Sequence, residues 1–121
     1  MAEGPLPSAT GWLALTDDDL VFRIESLPPD HASDEDLLDV VRSSRHFFIR
    51  QEAAKRVRDA ERLKAFEGDR HIGQILVRQM RRDTDVDYLE RLVRETRHLE
   101  VRNAAVAQLK LLREALSRTR S

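Results

Sequence analysis

Three histidines, His46, His71 and His98, each follow an arginine at related places in the sequence, and imidazole is a common zinc ligand. Packed helices lie roughly 8–10 Å apart, whereas ligands with Zn–N near 2 Å must converge to within about 3–4 Å of one another. One ion therefore cannot collect all three. Asp83-Thr84-Asp85-Val86-Asp87 imitates the opening of a calcium loop, but Tyr88 and Arg94 stand where such a loop needs Gly and Glu. Gly68 and Gly73 have the glycine spacing of a phosphate loop, yet Gln74-Ile75 replace the Lys-Ser/Thr that would supply the amine and the magnesium hydroxyl. There is no Cys, and no Ser, Thr or Lys sits in a nucleophile motif. No catalytic residue, cofactor or metal site is expected, and the chain reads as a non-enzymatic protein.

The arginines are more suggestive. Arg42 and Arg45, then Arg91, Arg94 and Arg97, step by three residues, and Arg78, Arg81 and Arg82 form a cluster. Three-residue steps keep side chains on one helical face, so these groups form a basic band suited to phosphates or to an acidic peptide. The only aromatics after residue 48 are Phe66 and Tyr88, which leaves no platform for stacking bases. Arginine supplies 18 of the 21 basic residues, a bias that GC-rich coding explains. The charge is uneven: residues 1–40 hold ten acids and one base, and the remainder holds 12 acids and 20 bases. Such asymmetry can steer an anionic partner to the basic half or let the acidic segment cover that half, or the charges simply cap and solvate helices.

Helices must position these residues. Of the 121 residues, 40% are apolar but only six are aromatic, with four Gly and four Pro, a composition that favours helices over strands. Residues 1–11 are small and aperiodic and read as a flexible tail. Thr16–Asp19 looks like a capping box opening a helix through about Leu27, which Pro28-Pro29 must end. Ser33–Asp36 and Thr84–Asp87 look like two more. Further helices are expected to about Ser43, over His46–Glu61, a short one at Leu63–Phe66 stopped by a left-handed Gly68, then His71–Arg82, Tyr88–Arg97 and Leu99–Arg118. The expected organisation is a flexible acidic segment, 1–32, with a helix near 17–27, followed by a helical domain, 33–121. No apolar run reaches the length of a membrane span, and no leader pattern opens the chain, so a soluble cytoplasmic protein is expected.

The strongest pattern is a repeat. Residues 37–53 and 89–105 match at a constant offset of 52, pairing Leu37/Leu89, Val41/Val93, Arg42/Arg94, Arg45/Arg97, His46/His98, Arg50/Arg102 and Ala53/Ala105. A worn copy lies between them, with Leu63, Phe66, Arg70 and His71 offset by 25 from Leu38, Val41, Arg45 and His46. A period near 26 residues is one helix pair, stable only when stacked on neighbours.

Ile49-Arg50-x-x-Ala53-x-x-x-Val57, recurring as Val101-Arg102-x-x-Ala105-x-x-x-Leu109, resembles the second helix of HEAT-type repeats over residues 35–118. The resemblance implies an all-α, short right-handed α-solenoid of about three HEAT-like helix pairs with an extra N-terminal helix. It implies that Arg50 and Arg102 brace the adjoining turn, and that the small residue allows close helix contact. In the middle copy Arg81 stands where the small residue belongs. HEAT-like proteins are mostly adaptors and scaffolds; a minority bind DNA, including alkylpurine glycosylases much longer than this chain.

The last helix points to a partner. Val101, Ala105, Leu109, Leu112 and Leu116 share one side and suit the core, while Ala104, Ala107, Leu111 and Ala115 form a second apolar strip. A terminal repeat normally presents a polar outer face. The expected function is a protein–protein adaptor or scaffold docking another protein, or a second copy of itself, with Ala104, Leu111, Ala115 and the arginine band as binding residues. The runner-up is a nucleic-acid-associated protein that grips phosphates through the arginines. No membrane is expected as a partner.

Overall fold

The computed structural model describes residues 8–120, with side chains for 11–118. The described chain is helical and contains no strand, and none of its helices is long and apolar enough to cross a membrane. It divides into two compact units between Asp59 and Ala60.

The first unit contains α1 (Ser8–Leu13), α2 (Asp17–Glu25), α3 (Glu35–Arg42) and α4 (Phe47–Arg56). Thr16 caps α2 as expected, its hydroxyl accepting from the Asp19 N–H at 3.2 Å. Ser26 ends the helix by donating its hydroxyl to the Phe22 carbonyl. α1 packs on α3 and α2 on α4, with Leu20 and Ile24 fully buried. Residues 8–11 join a helix, the helix expected near 17–27 is α2 and supplies core, and the compact units divide at Asp59/Ala60 where the sequence suggested 32/33. Residues 1–7 lie outside the described residues.

The second unit opens with a 3₁₀ segment, Ala60–Phe66, followed by α5 (Arg70–Gln79), a 3₁₀ turn at Asp83–Asp85, α6 (Val86–Glu95) and α7 (Leu99–Arg120). α7 packs on both α5 and α6. Gly68 does not take the left-handed conformation expected of it; Asp69 instead caps α5 by accepting from the His71 and Ile72 N–H groups. Thr84 is no cap either. Asp85, buried, accepts from the Arg82 N–H at 3.0 Å, so the turn closes one residue later.

The offset of 52 extends beyond the segments in which the sequence shows it. α1 corresponds to the 3₁₀ segment Ala60–Phe66, α2 to α5, α3 to α6 and α4 to α7, and Leu20/Ile72, Ile24/Leu76, Leu37/Leu89, Val40/Leu92, Ile49/Val101, Ala53/Ala105 and Val57/Leu109 are buried in both copies. The structural repeat is thus a unit of four helical segments. The anticipated problem at Arg81 does not arise, because α5 ends at Gln79 and Arg81 is exposed. Close approach of α5 to α7 is supplied by Gly73, where a Cβ would lie 2.9 Å from Val101 Cγ2.

Candidate docking surface

The polar groups near the α3 and α4 ends are committed to structure. Asp34 was expected inside a capping box, but it makes no side-chain cap to α3. Its carboxylate accepts from the backbone N–H groups of Arg58 and Asp59, both at 2.9 Å, and lies 3.0 Å from His31 Nε2. Burial pushes this carboxyl up, but those two amides and the His31 ring together hold it below its ordinary value. His31 Nδ1 faces the Pro28 carbonyl at 3.2 Å. Both ring nitrogens are occupied, so His31 cannot serve as a base for the neighbouring Ser33, whose hydroxyl accepts from the Glu35 N–H.

A second polar cluster organises the other unit. The Tyr88 hydroxyl donates to Glu67 at 2.6 Å, and Lys64 and Arg91 flank the ring at 4.3 and 5.0 Å from its centroid. Burial, reinforced by Glu67, pushes the Tyr88 hydroxyl well above its usual range. The hydrogen bond from Tyr88, opposed by burial and aided by Arg91, holds Glu67 below its own. These are marks of a fixed neutral phenol and a fixed carboxylate, an arrangement that ties the 3₁₀ segment to α6.

The eight band arginines divide into engaged and open groups. Arg42 pairs with Asp39. Arg45 is largely buried and grips Asp17 at 2.5 Å and the carbonyls of Leu13 and Leu15 at 2.7 and 2.6 Å, fixing the α1–α2 link. Arg82 binds Asp85 and Glu61, and Arg91 binds Glu67 and Glu95. Arg81 folds back on the Arg78 carbonyl at 3.3 Å. Arg78, Arg94 and Arg97 are exposed and make no side-chain bond among the described residues.

The histidines likewise separate. His46 caps α4 through Nδ1 and packs against Phe47, and His98 Nε2 lies 3.0 Å from the Gly68 carbonyl. Among the described residues no group of three His, Cys, Asp or Glu side chains is placed to hold a metal ion.

The terminal helix carries the exposed apolar surface. Leu111 is 59% exposed and Ala107 and Ala115 are exposed, while Ala104 is half-buried. The core strip divides as its spacing suggests: Val101, Ala105, Leu109 and Leu112 are buried, and Leu116 is half-buried. A shallow depression of about 310 Å³, which the sequence did not reveal, lies between α6 and α7, lined by Glu90, Val93, Arg94, Val106, Leu109 and Arg113. Val106 is 51% exposed there. Glu90 and Arg113 bond to each other at its rim.

No protein family, curated protein or solved structure matches the chain. The repeat itself supplies the comparison. Glu90, Val93, Val106 and Leu109 correspond, at an offset of 52, to Leu38, Val41, Ala54 and Val57 of the first unit, all four buried. In the second copy Val106 is exposed, Glu90 and Val93 are half-buried and Leu109 alone stays buried, so this face is less covered there than in the first. The signal available in the sequence was Ala54 against Val106, a larger apolar residue at the corresponding position.

Proposed function

We propose that the protein is a small non-enzymatic adaptor or scaffold, a short right-handed α-solenoid of HEAT-like helix pairs working in the cytoplasm, that docks a protein partner through its α6–α7 end. The observation that carries this reading is the open groove around Val93 and Val106, at positions whose counterparts in the first unit are buried. Exposed apolar surface rimmed by charge is characteristic of interaction sites. The Leu111 strip supports it independently, since the corresponding position is Asp59, exposed in the first unit. The arginines lend less support to phosphate binding, because Arg42, Arg45, Arg82 and Arg91 are already held by carboxylates of the chain.

The test is affinity capture with the wild type, Val106→Glu and Leu111→Glu, alongside circular dichroism. Loss of captured protein in a folded variant is the expected result. An identical captured set for all three sinks the adaptor reading, and tight, steeply salt-dependent binding to mixed-sequence DNA would replace it with the nucleic-acid reading.

A further inference from the structure

We infer that copies of this chain associate head to tail, with the α1–α2 face of one molecule seated in the α6–α7 groove of the next. This rests on the docking reading above and names its occupant. In a stacked repeat, the face corresponding to Glu90, Val93, Val106 and Leu109 is closed by helices of another repeat unit. In this chain Leu38, Val41, Ala54 and Val57 are all buried, whereas at the C-terminal counterpart Val106 is exposed and Glu90 and Val93 are half-buried.

A second molecule carries a surface that fits. Phe22 on α2 is 72% exposed, beside a depression of about 530 Å³ lined by Leu15, Asp19, Arg23, Ser26 and Leu27. Asp18, Asp19 and Glu25 surround it, exposed and with carboxylates that make no bond among the described residues. The groove offers Val93, Val106 and an unpaired Arg94. An exposed phenyl ring edged with carboxylates thus meets an apolar trough edged with a guanidinium.

Charge also fixes the orientation. Residues 1–59 hold 12 acids and 7 bases, a net of −5, and residues 60–121 hold 10 acids and 14 bases, a net of +4. A symmetric pairing would set two acidic or two basic faces together, which is costly, whereas head-to-tail pairing opposes unlike charge. Such a contact is heterologous and continues into a ring or an open chain. Exposed Arg23 and Glu25 replace the buried Ile75 and Val77 of the second unit, so the contact is polar and reversible, with a Kd on the order of micromolar.

Sedimentation velocity of the full chain tests this. The weight-average mass should rise above 14.0 kDa with concentration and fall back when salt is raised. Phe22→Asp damages only the head, and Val106→Glu or Arg94→Glu damages only the groove; each variant alone should stay monomeric. Mixing Phe22→Asp with either groove variant should restore dimers and nothing larger, since one good head meets one good groove. A wild type that remains monomeric up to about 200 µM overturns the inference, as does association that survives Phe22→Asp, or a mixture that stays monomeric. Circular dichroism establishes that each variant is folded, and Arg94→Glu, an exposed charge reversal, stands in if Val106→Glu is not. A monomeric wild type whose capture of another protein still depends on Val106 refutes self-association and leaves the adaptor reading standing.

Discussion

Arg50 and Arg102, 52 positions apart, make the same bond: each Nε donates to the carbonyl nine residues earlier, that of Val41 at 2.7 Å and that of Val93 at 3.1 Å. Arg102 also donates to the Thr96 carbonyl at 3.0 Å. The guanidinium fastens each helix to the end of the one before it, in the bracing role that the HEAT-like resemblance implies. A charged donor to a carbonyl contributes about 1.5–3 kcal/mol at best, less where water competes. Arg50→Met should therefore lower unfolding free energy by about 1–2 kcal/mol, and Arg102→Met, at an exposed site, by less. Urea titrations of the two variants give the ranking.

Small residues at the helix crossings make a second prediction. Ala53→Leu and Ala105→Leu overpack fully buried sites and should each cost roughly 1–3 kcal/mol in thermal or urea melts. Gly73→Ala should also destabilise, because the new methyl meets Val101 Cγ2 at 2.9 Å and the Glu67 carbonyl at 3.3 Å. Removing the opposing methyls should relieve it. Val101→Ala should cost less in the Gly73→Ala background than alone, and additive costs would show that the two residues do not compete for space.

Asp34 predicts an acid limb. Its folded pKa lies below the unfolded value of 3.8, so its contribution is complete above that pH and is lost as the pH falls through the folded value. Asp34→Asn should cost about 1–3 kcal/mol near neutrality, because one amide oxygen cannot accept from both Arg58 and Asp59. It should also flatten the loss of stability below pH 4 relative to the wild type. Parallel acid limbs in the two proteins would show that other carboxylates govern the transition.

The two faces of α7 should respond in opposite ways to the same charge. Leu111→Glu places a carboxylate where the first unit has Asp59, and its melting behaviour should change by no more than about 0.5 kcal/mol. Leu109→Glu buries an unpaired charge and should cost more than about 3 kcal/mol. Chemical denaturation of both distinguishes them, and comparable losses would place Leu111 in the core.

The helices, the register of the α3–α4 and α6–α7 pairs, the Thr16 cap and the α7 core strip were legible because 3.6-residue periodicity and capping chemistry are local. The Arg50 brace was legible only through the HEAT-like resemblance, which implied that role for the recurring arginine. The full 52-residue unit was not. α2 and α5 share apolar character at Leu20/Ile72 and Ile24/Leu76, and the one identity at this offset is Asp17 with Asp69, the cap of α5. The role of Asp34 was not legible because Ser33–Asp36 has the pattern of a capping box, and only the folded chain brings the Arg58 and Asp59 amides to this carboxylate. The groove went unseen because exposure of Val106 depends on what lies opposite, which no single segment encodes.

A 52-residue block that recurs with its brace, its helix crossings and its buried positions is the product expected of an in-frame duplication. The differences between the blocks then record how each end of a tandem gene adapted after copying. The earlier block has Arg23, Glu25 and Pro28 where the later one buries Ile75, Val77 and Met80, and the later one has Glu90 where the earlier buries Leu38. A lone ancestral block would have carried apolar residues at both sets of positions. At about 50 residues, a chain is marginal on its own core. Such a block alone would be expected to cover its apolar positions with a second copy of itself.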